Sequence, residues 1–419
     1  MSARTPLSSS RFFRLTWFGL LNMALAGLPP LWPLAAASAS GIPEVRALWV
    51  ARTSLASPAS VAEMVRAAKA SGFNTLLVQV RARGDAYFNG GIEPRAAALA
   101  GAPATFDPLQ VALKQAHDAG LRVHAWVNVD LVSSASDLPT SRAHVIYRHP
   151  EWVMVPREVA REMALLDPHT PLYLDKLARA VRSHASGVEG LYLSPIPREA
   201  ADYTVAVVTD IVRRYAVDGV HLDYVRYPNE EFDYSQAALG EFAAALDEGQ
   251  PGRTLDSGGP RADLLARTQA FADHWRAFRR ARLTALIARL HDAITRHRPG
   301  ALVTAAVVPD PEAASASRLQ DWRAWLEDGL IDVVCPMAYA TDAAQFTAQI
   351  TSVKEAAADH PVWAGIGAYR LSSLQTVENI QIARRLGASG VILFSYDSLT
   401  TPPRGAEYLS EVGRAAFGQ

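Results

Sequence analysis

From residue 43 onward, short runs rich in Val, Leu and Ile alternate with longer segments whose apolar residues recur at helical spacing. This alternation is typical of a parallel sheet covered by helices. The predicted strands lie at about 45–51, 75–80, 122–128, 219–225, 301–308, 332–337, 362–368 and 390–396. The predicted helices lie at about 58–70, 107–119, 201–216, 262–297, 318–328, 343–358, 373–386 and 403–416. Eight strands, each followed by a helix, predict an α/β fold in which the strands close into a (β/α)8 TIM barrel.

Two insertions interrupt the alternation, one at about 130–200 after the third strand and one at about 228–261 after the fourth. Both follow the carboxyl ends of strands, the face on which barrel proteins build their sites, so we expect them to shape a binding groove. No Gly-rich dinucleotide fingerprint follows the first strand, which disfavours a Rossmann fold. We therefore assign residues 40–419 to a single barrel domain.

The amino terminus has the three parts of a secretory signal peptide. Arg4, Arg11 and Arg14 precede an apolar run at 15–28, and the small residues at 35–40 fit a cleavage site. We predict that residues 1–39 are a signal peptide and that the mature chain is periplasmic or secreted. Because the apolar run is short, we expect no stable membrane span after cleavage. The alternative is an uncleaved N-terminal anchor.

Composition and motifs exclude several classes of function. The formal net charge is −1 at pH 7, whereas proteins that bind nucleic acid usually carry a basic surplus, so no such partner is expected. Cys335 is the single cysteine of the chain, which rules out a disulfide framework and a cysteine-based zinc cluster. The histidines show no metal-binding spacing, and neither a phosphate loop nor a nucleophile elbow is present. We therefore expect neither a metal nor a cofactor.

Side-chain alternation along three strands directs polar residues toward one axis. The inward positions predicted for the second, third and fourth strands are Gln79, Arg81, Arg83, His124, Trp126, Asn128, His221 and Asp223. Buried polar groups need partners or a ligand, and residues at the carboxyl ends of barrel strands are often functional. We therefore expect a site around Asp223, Arg83 and Asn128. A polar network that only fastens the barrel is the alternative for His221 and Gln79.

Aromatic residues crowd the same strand ends. Their rings suit a sugar site, because a ligand pocket combines apolar walls with a few placed polar groups. The residues predicted to bind substrate are Arg81, Arg83, Tyr87, His124, Trp126, Asn128, His221, Tyr224, Arg226, Tyr339, Trp363 and Tyr396.

A family resemblance is carried by the segment VVTDIVRRYAVDGVHLDYVRYP, which spans the third helix and fourth strand. Together with VRALWVAR, FNTLLVQVRARGDAYF, LRVHAWVN, DVVCPMAY and GVILFSY at other strands, it resembles glycosyl-hydrolase-like family ten over about 44–400. The resemblance implies a bacterial envelope or secreted barrel that acts on cell-wall glycan, so the expected partner is a polysaccharide of peptidoglycan type.

The chain departs from the family pattern at two places. Ser194 stands where the family often has an aspartate, and Tyr224 stands where many members have a second acid after Asp223. A weaker similarity to the fourth strand of chitinase-type barrels lacks the catalytic glutamate, which is Val225 here, so that mechanism is not carried over.

Cleavage of a glycosidic bond usually needs two carboxyl groups. Asp223 is predicted to be the acid or the nucleophile. Asp85 is the second predicted catalytic residue, as a base or substrate-binding group, because Arg81 and Arg83 favour its charged form. An N-acetyl group on the sugar can replace the protein nucleophile, which would leave one essential acid. The alternatives to a glycoside hydrolase are a non-catalytic glycan-binding protein, which the missing second acid favours, and a barrel lyase.

Overall fold

The structure, a computed structural model, describes residues 43–183, 187–249, 263–402, 404–405 and 407–418. The predicted signal peptide at 1–39 and most of the Gly/Pro-rich stretch of the second insertion lie outside the described residues. Glu44–Gln419 form one compact unit, which contains the barrel.

Eight parallel strands close into a barrel in which each strand pairs with its neighbours along the chain and the eighth pairs with the first. The strands are β1 (Val45–Val50), β2 (Thr75–Arg81), β3 (Arg122–Asn128), β4 (Gly219–Asp223), β5 (Leu302–Val307), β6 (Val333–Ala338), β7 (Trp363–Ile366) and β8 (Gly390–Leu393). The predicted (β/α)8 barrel is therefore confirmed, with every strand at its predicted place.

Helices cover the outside of the barrel and fill the insertions. They are α1 (Pro58–Ala70), α2 (Pro108–Asp118), α3 (Val145–Arg148), α4 (Ala160–Met163), α5 (Pro171–Ser183), α6 (Arg198–Arg214), α7 (Gln236–Gly249), α8 (Leu264–Ala270), α9 (Ala272–His297), α10 (Pro311–Ser317), α11 (Trp322–Glu327), α12 (Ala343–Ala357), α13 (Ser373–Arg385), α14 (Tyr396–Thr400) and α15 (Glu407–Phe417). No described helix combines the length and apolar character needed to cross a membrane.

Local sequence explains where the helices begin. Ser57 caps α1 in a reciprocal capping box with Ser60, and Pro58 occupies the first turn, where no backbone N–H is needed. The helix predicted at 262–297 is divided between α8 and α9 because Phe271 has non-helical dihedral angles, φ −124° and ψ 49°. The helix predicted at 318–328 is shorter, since Leu319 has a positive φ of 54° and only α11 follows it.

The two faces of the strands separate as alternation predicts. Val123, Ala125 and Val127 of β3 belong to the large apolar cluster between the barrel and its helices. A second cluster fills the barrel interior and includes Trp49, Leu77, Trp126, Cys335 and Trp363.

Glycines on the strands make room for the large interior rings. A Cβ at Gly219 would lie 2.5 Å from His124 Nδ1, and one at Gly365 would lie 2.7 Å from the indole of Trp49. Any larger residue at these two positions would displace a ring that fills the barrel.

The first insertion folds back over the strand ends. Its first and last parts, Leu131–Ser133 and Leu191–Tyr192, form a two-stranded antiparallel sheet. The helix predicted near 172–185 is α5. Gly190 allows the end of the insertion to pack closely against Ser133, because a Cβ at this position would lie 2.0 Å from the carbonyl oxygen of Ser133. The insertion thereby brings Glu189 and Tyr192 to the rim of the barrel.

Candidate active site

A cavity of about 260 Å³ opens at the carboxyl ends of the strands. It is lined by Trp49, Ala51, Arg52, Gln79, Arg83, Trp126, Asn128, Asp223, Tyr224, Arg226, Ala306, Met337, Tyr339 and Phe394. The structure thus brings together seven of the predicted site residues, namely Arg83, Trp126, Asn128, Asp223, Tyr224, Arg226 and Tyr339.

Asp223 is the last residue of β4, and its carboxyl group is buried in the cavity wall. Oδ2 accepts a hydrogen bond of 3.1 Å from Nε1 of Trp126, and Oδ1 accepts one of 2.7 Å from the backbone N–H of Tyr224. Burial raises the pKa of Asp223, while Arg226 and the two hydrogen bonds oppose this shift. The environment therefore favours the protonated form more than water does.

The backbone turns sharply directly after Asp223. Tyr224 has a positive φ of 50°, a left-handed conformation that non-glycine residues rarely adopt. The turn directs the Tyr224 N–H at the Asp223 carboxyl group and brings Arg226 to the cavity. Such local strain is common at functional sites.

Arg226 pairs with a carboxylate from the first insertion. Its Nη2 donates to Oε1 of Glu189 at 3.0 Å, and Tyr192 donates its hydroxyl hydrogen to Oε2 of Glu189 at 2.6 Å. Burial by itself would lower the pKa of Arg226, but Tyr192, Glu189 and Asp223 together hold it above its ordinary value. Arg226 is therefore a fixed positive charge that is paired with Glu189 and interacts electrostatically with Asp223.

An aromatic wall faces these charged groups. The rings of Trp49 and Tyr339 meet edge to face with centroids 6.3 Å apart, and Phe394 lies 5.9 Å from Trp49 and 5.5 Å from Tyr339. Tyr369 extends the wall outward, 6.2 Å from Tyr339, with 40% of its surface exposed. The cavity thus has an apolar side and a charged side.

His221 lies beneath the cavity and belongs to a buried polar chain. Its Nε2 accepts from Nε1 of Trp49 at 3.0 Å, and its Nδ1 lies 2.9 Å from Oγ1 of Thr304. Because an indole N–H can only donate, Nδ1 of His221 carries the proton and donates to Thr304. Burial lowers the pKa of His221 well below its ordinary value, so the ring is neutral. It orients Trp49 and does not line the cavity.

His124 and Trp363 lie at the opposite end of the barrel, with ring centroids 5.4 Å apart. Burial lowers the pKa of His124 to about 4. His124 lines a different cavity of about 600 Å³, together with Arg122 and Asp218 at the amino ends of the strands. That cavity is larger, but the amino-terminal face of a barrel usually serves stability. We therefore place the site at the Asp223 end, away from His124 and Trp363.

The side chain of Arg81 does not point into the barrel, although the strand alternation predicted that it would. The register between β2 and β3 shifts between Gln79 and Arg81, so that Arg81 pairs with Val127, which faces the helices. Its buried guanidinium forms two hydrogen bonds with Glu93, at 2.8 and 2.7 Å. It also donates to the carbonyl oxygens of Asn128 and Val129. Arg81 therefore fastens the end of β3 from outside the barrel.

Asp85, Tyr87 and Tyr396 also lie outside the cavity lining. Oδ1 of Asp85 accepts a hydrogen bond of 2.9 Å from the backbone N–H of Arg83, which shapes the loop after β2. Tyr87 and Tyr396 are buried in the apolar cluster between the barrel and its helices.

Several residues around the site were not among the predicted site residues, among them Trp49, Arg52, Phe394 and Glu189. The sequence does indicate that Trp49 faces the barrel interior, because the alternation in VRALWV places it on the same face as Val45 and Ala47. Phe394 directly follows β8 and Arg52 lies two residues after β1, in segments where side-chain direction depends on the turn. No sequence pattern indicated Glu189, since it comes from the first insertion, thirty residues before β4 begins at Gly219.

Among the described residues, no group of three His, Cys, Asp or Glu side chains is arranged to hold a metal ion. What the site offers instead is a buried carboxyl group, fixed arginines and an aromatic wall at the mouth of a parallel barrel. These features place the protein in the class of glycosidase-like barrels.

Comparison with known proteins identifies the family. The chain belongs to the family glycosyl hydrolase-like 10, which matches residues 44–184 and 171–379. It is 26% identical over 297 residues to the glycosyl hydrolase DigH of Escherichia coli K12, covering 64% of this chain and 55% of DigH. It is 23% identical over 290 residues to the glycosyl hydrolase YngK of Bacillus subtilis strain 168, covering 64% of this chain and 46% of YngK. The chain thus spans about half the length of these relatives.

The fold also matches solved structures. The glycoside hydrolase domain of PgaB (BpsB) from Bordetella bronchiseptica superposes with a TM-score of 0.62 at 17% identity. The match covers 88% of this chain and 99% of that domain. At this identity the likeness concerns the fold, and it agrees with the barrel described above.

Proposed function

We propose that this protein is an exported glycoside hydrolase that cleaves a bacterial cell-wall glycan of peptidoglycan type, with Asp223 as the proton donor. The environment of Asp223 carries the proposal. Its carboxyl group is buried, burial raises its pKa, and it faces an open cavity at the carboxyl ends of the strands. A general acid must hold a proton until the leaving oxygen takes it, and burial favours that form.

The cavity walls support a sugar as the substrate. Trp49, Tyr339 and Phe394 offer apolar surface to a pyranose ring, while Gln79 and Asn128 offer amides to its hydroxyl groups. Export is supported by the signal-peptide features of residues 1–39, which lie outside the described residues.

Glu189 is our candidate for the second carboxyl group. Its ion pair with Arg226 holds it beside Asp223, near enough for its charge to contribute to the raised pKa of Asp223. As a carboxylate it can activate water or attack the sugar while Asp223 protonates the leaving oxygen and the glycosidic bond breaks. An N-acetyl group of the substrate is the alternative nucleophile, and in that case Glu189 only orients Arg226.

A non-catalytic glycan-binding protein is the second candidate function. One observation favours it: Asp223 is the single carboxylate among the described residues that line the cavity. Such a protein would bind glycan through the same wall and arginines and would not cleave it.

Turnover of peptide-free glycan strands by wild-type protein and by Asp223→Asn tests the proposal. We expect wild type to release shorter strands and Asp223→Asn to be slower by about 10²- to 10⁴-fold. Asp118→Asn, on the exposed surface of α2, is the matched control and should turn over as wild type does. Binding without cleavage by wild type would support the binding protein instead. Undiminished cleavage by Asp223→Asn would refute Asp223 as the acid.

A further inference from the structure

The charged side of the cavity carries more positive than negative groups. Arg52, Arg83 and Arg226 line it, against the one carboxylate of Asp223. Arg226 is paired with Glu189 at 3.0 Å. For Arg52 and Arg83, the described residues provide no carboxylate within 4.0 Å, so both cationic groups enter the cavity without an ion pair.

Arg83 is positioned by two hydrogen bonds, neither of which is an ion pair of its guanidinium group. Its Nη1 donates to the carbonyl oxygen of Glu189 at 3.3 Å, and its backbone N–H is bound by Asp85 at 2.9 Å. Burial lowers the pKa of Arg83, and the neighbouring positive charge of Arg52 adds to this effect. Tyr224, Tyr192 and Glu189 act in the opposite direction without reversing the shift. The site thus maintains a partly desolvated cation next to another cation.

Arg52 reaches the cavity from the segment after β1, the strand that pairs with β2. Arg52 lies two residues after the end of β1. Its backbone N–H donates to Oε1 of Gln79 at 3.4 Å, and its side chain is hydrogen-bonded to Tyr87. Tyr87 is a neutral phenol whose pKa is raised to about 12, mainly by burial. The hydrogen bond therefore orients Arg52 and leaves its charge uncompensated.

Two adjacent guanidinium groups repel each other, and each loses hydration in a half-buried site. An anion between them removes both costs, because guanidinium forms charge-assisted, often bidentate hydrogen bonds with carboxylate oxygens. Hydroxyl groups of a neutral sugar would supply hydrogen bonds but no opposing charge. The arginine pair is therefore suited to an acidic ligand group.

We infer that Arg52 and Arg83 form a subsite for a carboxylate substituent on the sugar ring next to the bond to be cleaved. This inference rests on the proposed function and adds a chemical requirement to it, an acidic glycan. The arginines and the aromatic wall line the same cavity, so one ring would pack on Tyr339 and Phe394 while its acidic substituent reaches the arginines. Arg226 remains ion-paired with Glu189 and is not part of the subsite.

The test compares two forms of one substrate, peptide-free cell-wall glycan with free carboxyl groups and the same glycan with those groups converted into methyl amides. Cleavage is followed with wild type. Affinity is measured by calorimetry in an Asp223→Asn background, which prevents turnover during the titration. Arg52→Gln and Arg83→Gln remove one charge each, and Arg83→Lys keeps the charge but loses the planar fork. Arg66→Gln is the control, since Arg66 is an exposed residue of α1 paired with Glu63.

We expect the acidic form to bind more tightly than the amidated form by about ten- to a hundredfold, the range of a charge-assisted hydrogen bond. This ratio should fall toward one in Arg52→Gln and Arg83→Gln, to an intermediate value in Arg83→Lys, and remain unchanged in Arg66→Gln. Circular dichroism identifies any variant that does not fold, and Arg83→Lys provides the second measurement in that case.

The outcomes separate the inference from the proposed function. Equal affinity for both forms with cleavage of both would overturn the acidic subsite and leave the hydrolase intact. A preference for the acidic form without any cleavage would support the subsite and overturn the hydrolase. If both Gln variants still bind the acidic form more tightly, other residues recognise the carboxylate, which also overturns the subsite. Failure to bind either form would overturn both.

Discussion

The indole Nε1 of Trp126 donates a hydrogen bond of 3.1 Å to Oδ2 of Asp223, from the strand next to that of Asp223. The indole is held between other rings, with His221 and Phe394 each 6.4 Å away, centroid to centroid. Because an indole N–H can only donate, this contact fixes the orientation of the carboxyl group and stabilises its charged form against burial. Burial raises the pKa of Asp223, and Arg226, the Tyr224 N–H and this indole donor oppose that shift.

Replacing Trp126 by Phe should therefore raise the pKa of Asp223 further. The lost hydrogen bond to a charged acceptor removes about 1.5–3 kcal/mol of stabilisation from the carboxylate. If Asp223 acts as the acid, activity requires its protonated form, so the alkaline limb of the kcat/KM profile should move to higher pH. Trp152→Phe, which changes a tryptophan of the first insertion, is the control. An alkaline limb that stays in place or moves to lower pH in Trp126→Phe would contradict the assignment.

The raised pKa of Asp223 also predicts how stability depends on pH. A carboxyl whose pKa is higher in the folded than in the unfolded state binds its proton more tightly when folded. Its ionisation therefore destabilises the fold as the pH rises from the unfolded pKa through the folded pKa. Each unit of difference corresponds to about 1.4 kcal/mol. Asp223→Asn removes this ionisation.

We expect the free energy of unfolding of Asp223→Asn, relative to wild type, to increase from pH 4 toward pH 8. The amide loses one hydrogen bond, because its NH2 group must face either Trp126 or the Tyr224 N–H, but this loss is the same at every pH. Urea unfolding across the pH range measures the difference, and Asp118→Asn gives the background slope of a surface substitution. A relative stability that falls with rising pH would show that the pKa is not raised.

Strand alternation correctly predicted which side chains of β3 face the barrel interior. It did not distinguish the side chains at the amino end of the strand from those at the carboxyl end. His124, Trp126 and Asn128 all face inward, yet His124 lies at the amino end of the barrel and Asn128 at the carboxyl end. Four residues of strand span about 13 Å, more than the width of one sugar subsite. The period of the pattern fixes the face of a side chain, and the position along the strand decides whether it reaches the cavity.

Arg81 and Glu189 show what sequence patterns could not reveal. The irregular pairing between Gln79 and Arg81 turns Arg81 to the helix side, and nothing in the run TLLVQVR marks that irregularity. Glu189 reaches the rim only because Leu191–Tyr192 pairs with Leu131–Ser133, a contact between segments nearly sixty residues apart. Long-range pairing of insertions has no local periodicity from which it can be predicted.

The position of Arg81 predicts a large effect on stability. Its side chain and that of Glu93 are each 1% exposed, and the two form a bidentate ion pair. Arg81→Ala leaves Glu93 buried without its cation, so the free energy of unfolding should fall by about 3–5 kcal/mol. The double replacement Arg81→Met with Glu93→Leu should recover part of this loss, since no uncompensated charge remains.

Chemical denaturation of these variants provides the measurement. Lys114→Ala is the control, because the exposed pair of Lys114 with Asp118 should contribute at most about 1 kcal/mol. A loss in Arg81→Ala as small as that of Lys114→Ala would argue that Arg81 is free of Glu93 and available to a ligand, as the strand pattern predicts.

The role of Glu189 can be separated from that of its ion pair with Arg226. If Glu189 is the second carboxyl group, Glu189→Gln should lower kcat by about 10²-fold or more, since a positioned acid or base contributes 10²- to 10⁴-fold. Glu189→Ala should then regain turnover when azide or formate is added, because a small anion in the vacated space can attack the sugar or activate water. A group that only orients Arg226 would not be rescued in this way. Glu231→Gln, at an exposed carboxylate of the second insertion, is the matched control and should need no rescue. If Glu189→Gln keeps nearly all of its activity, the substrate's own N-acetyl group becomes the better candidate for the nucleophile.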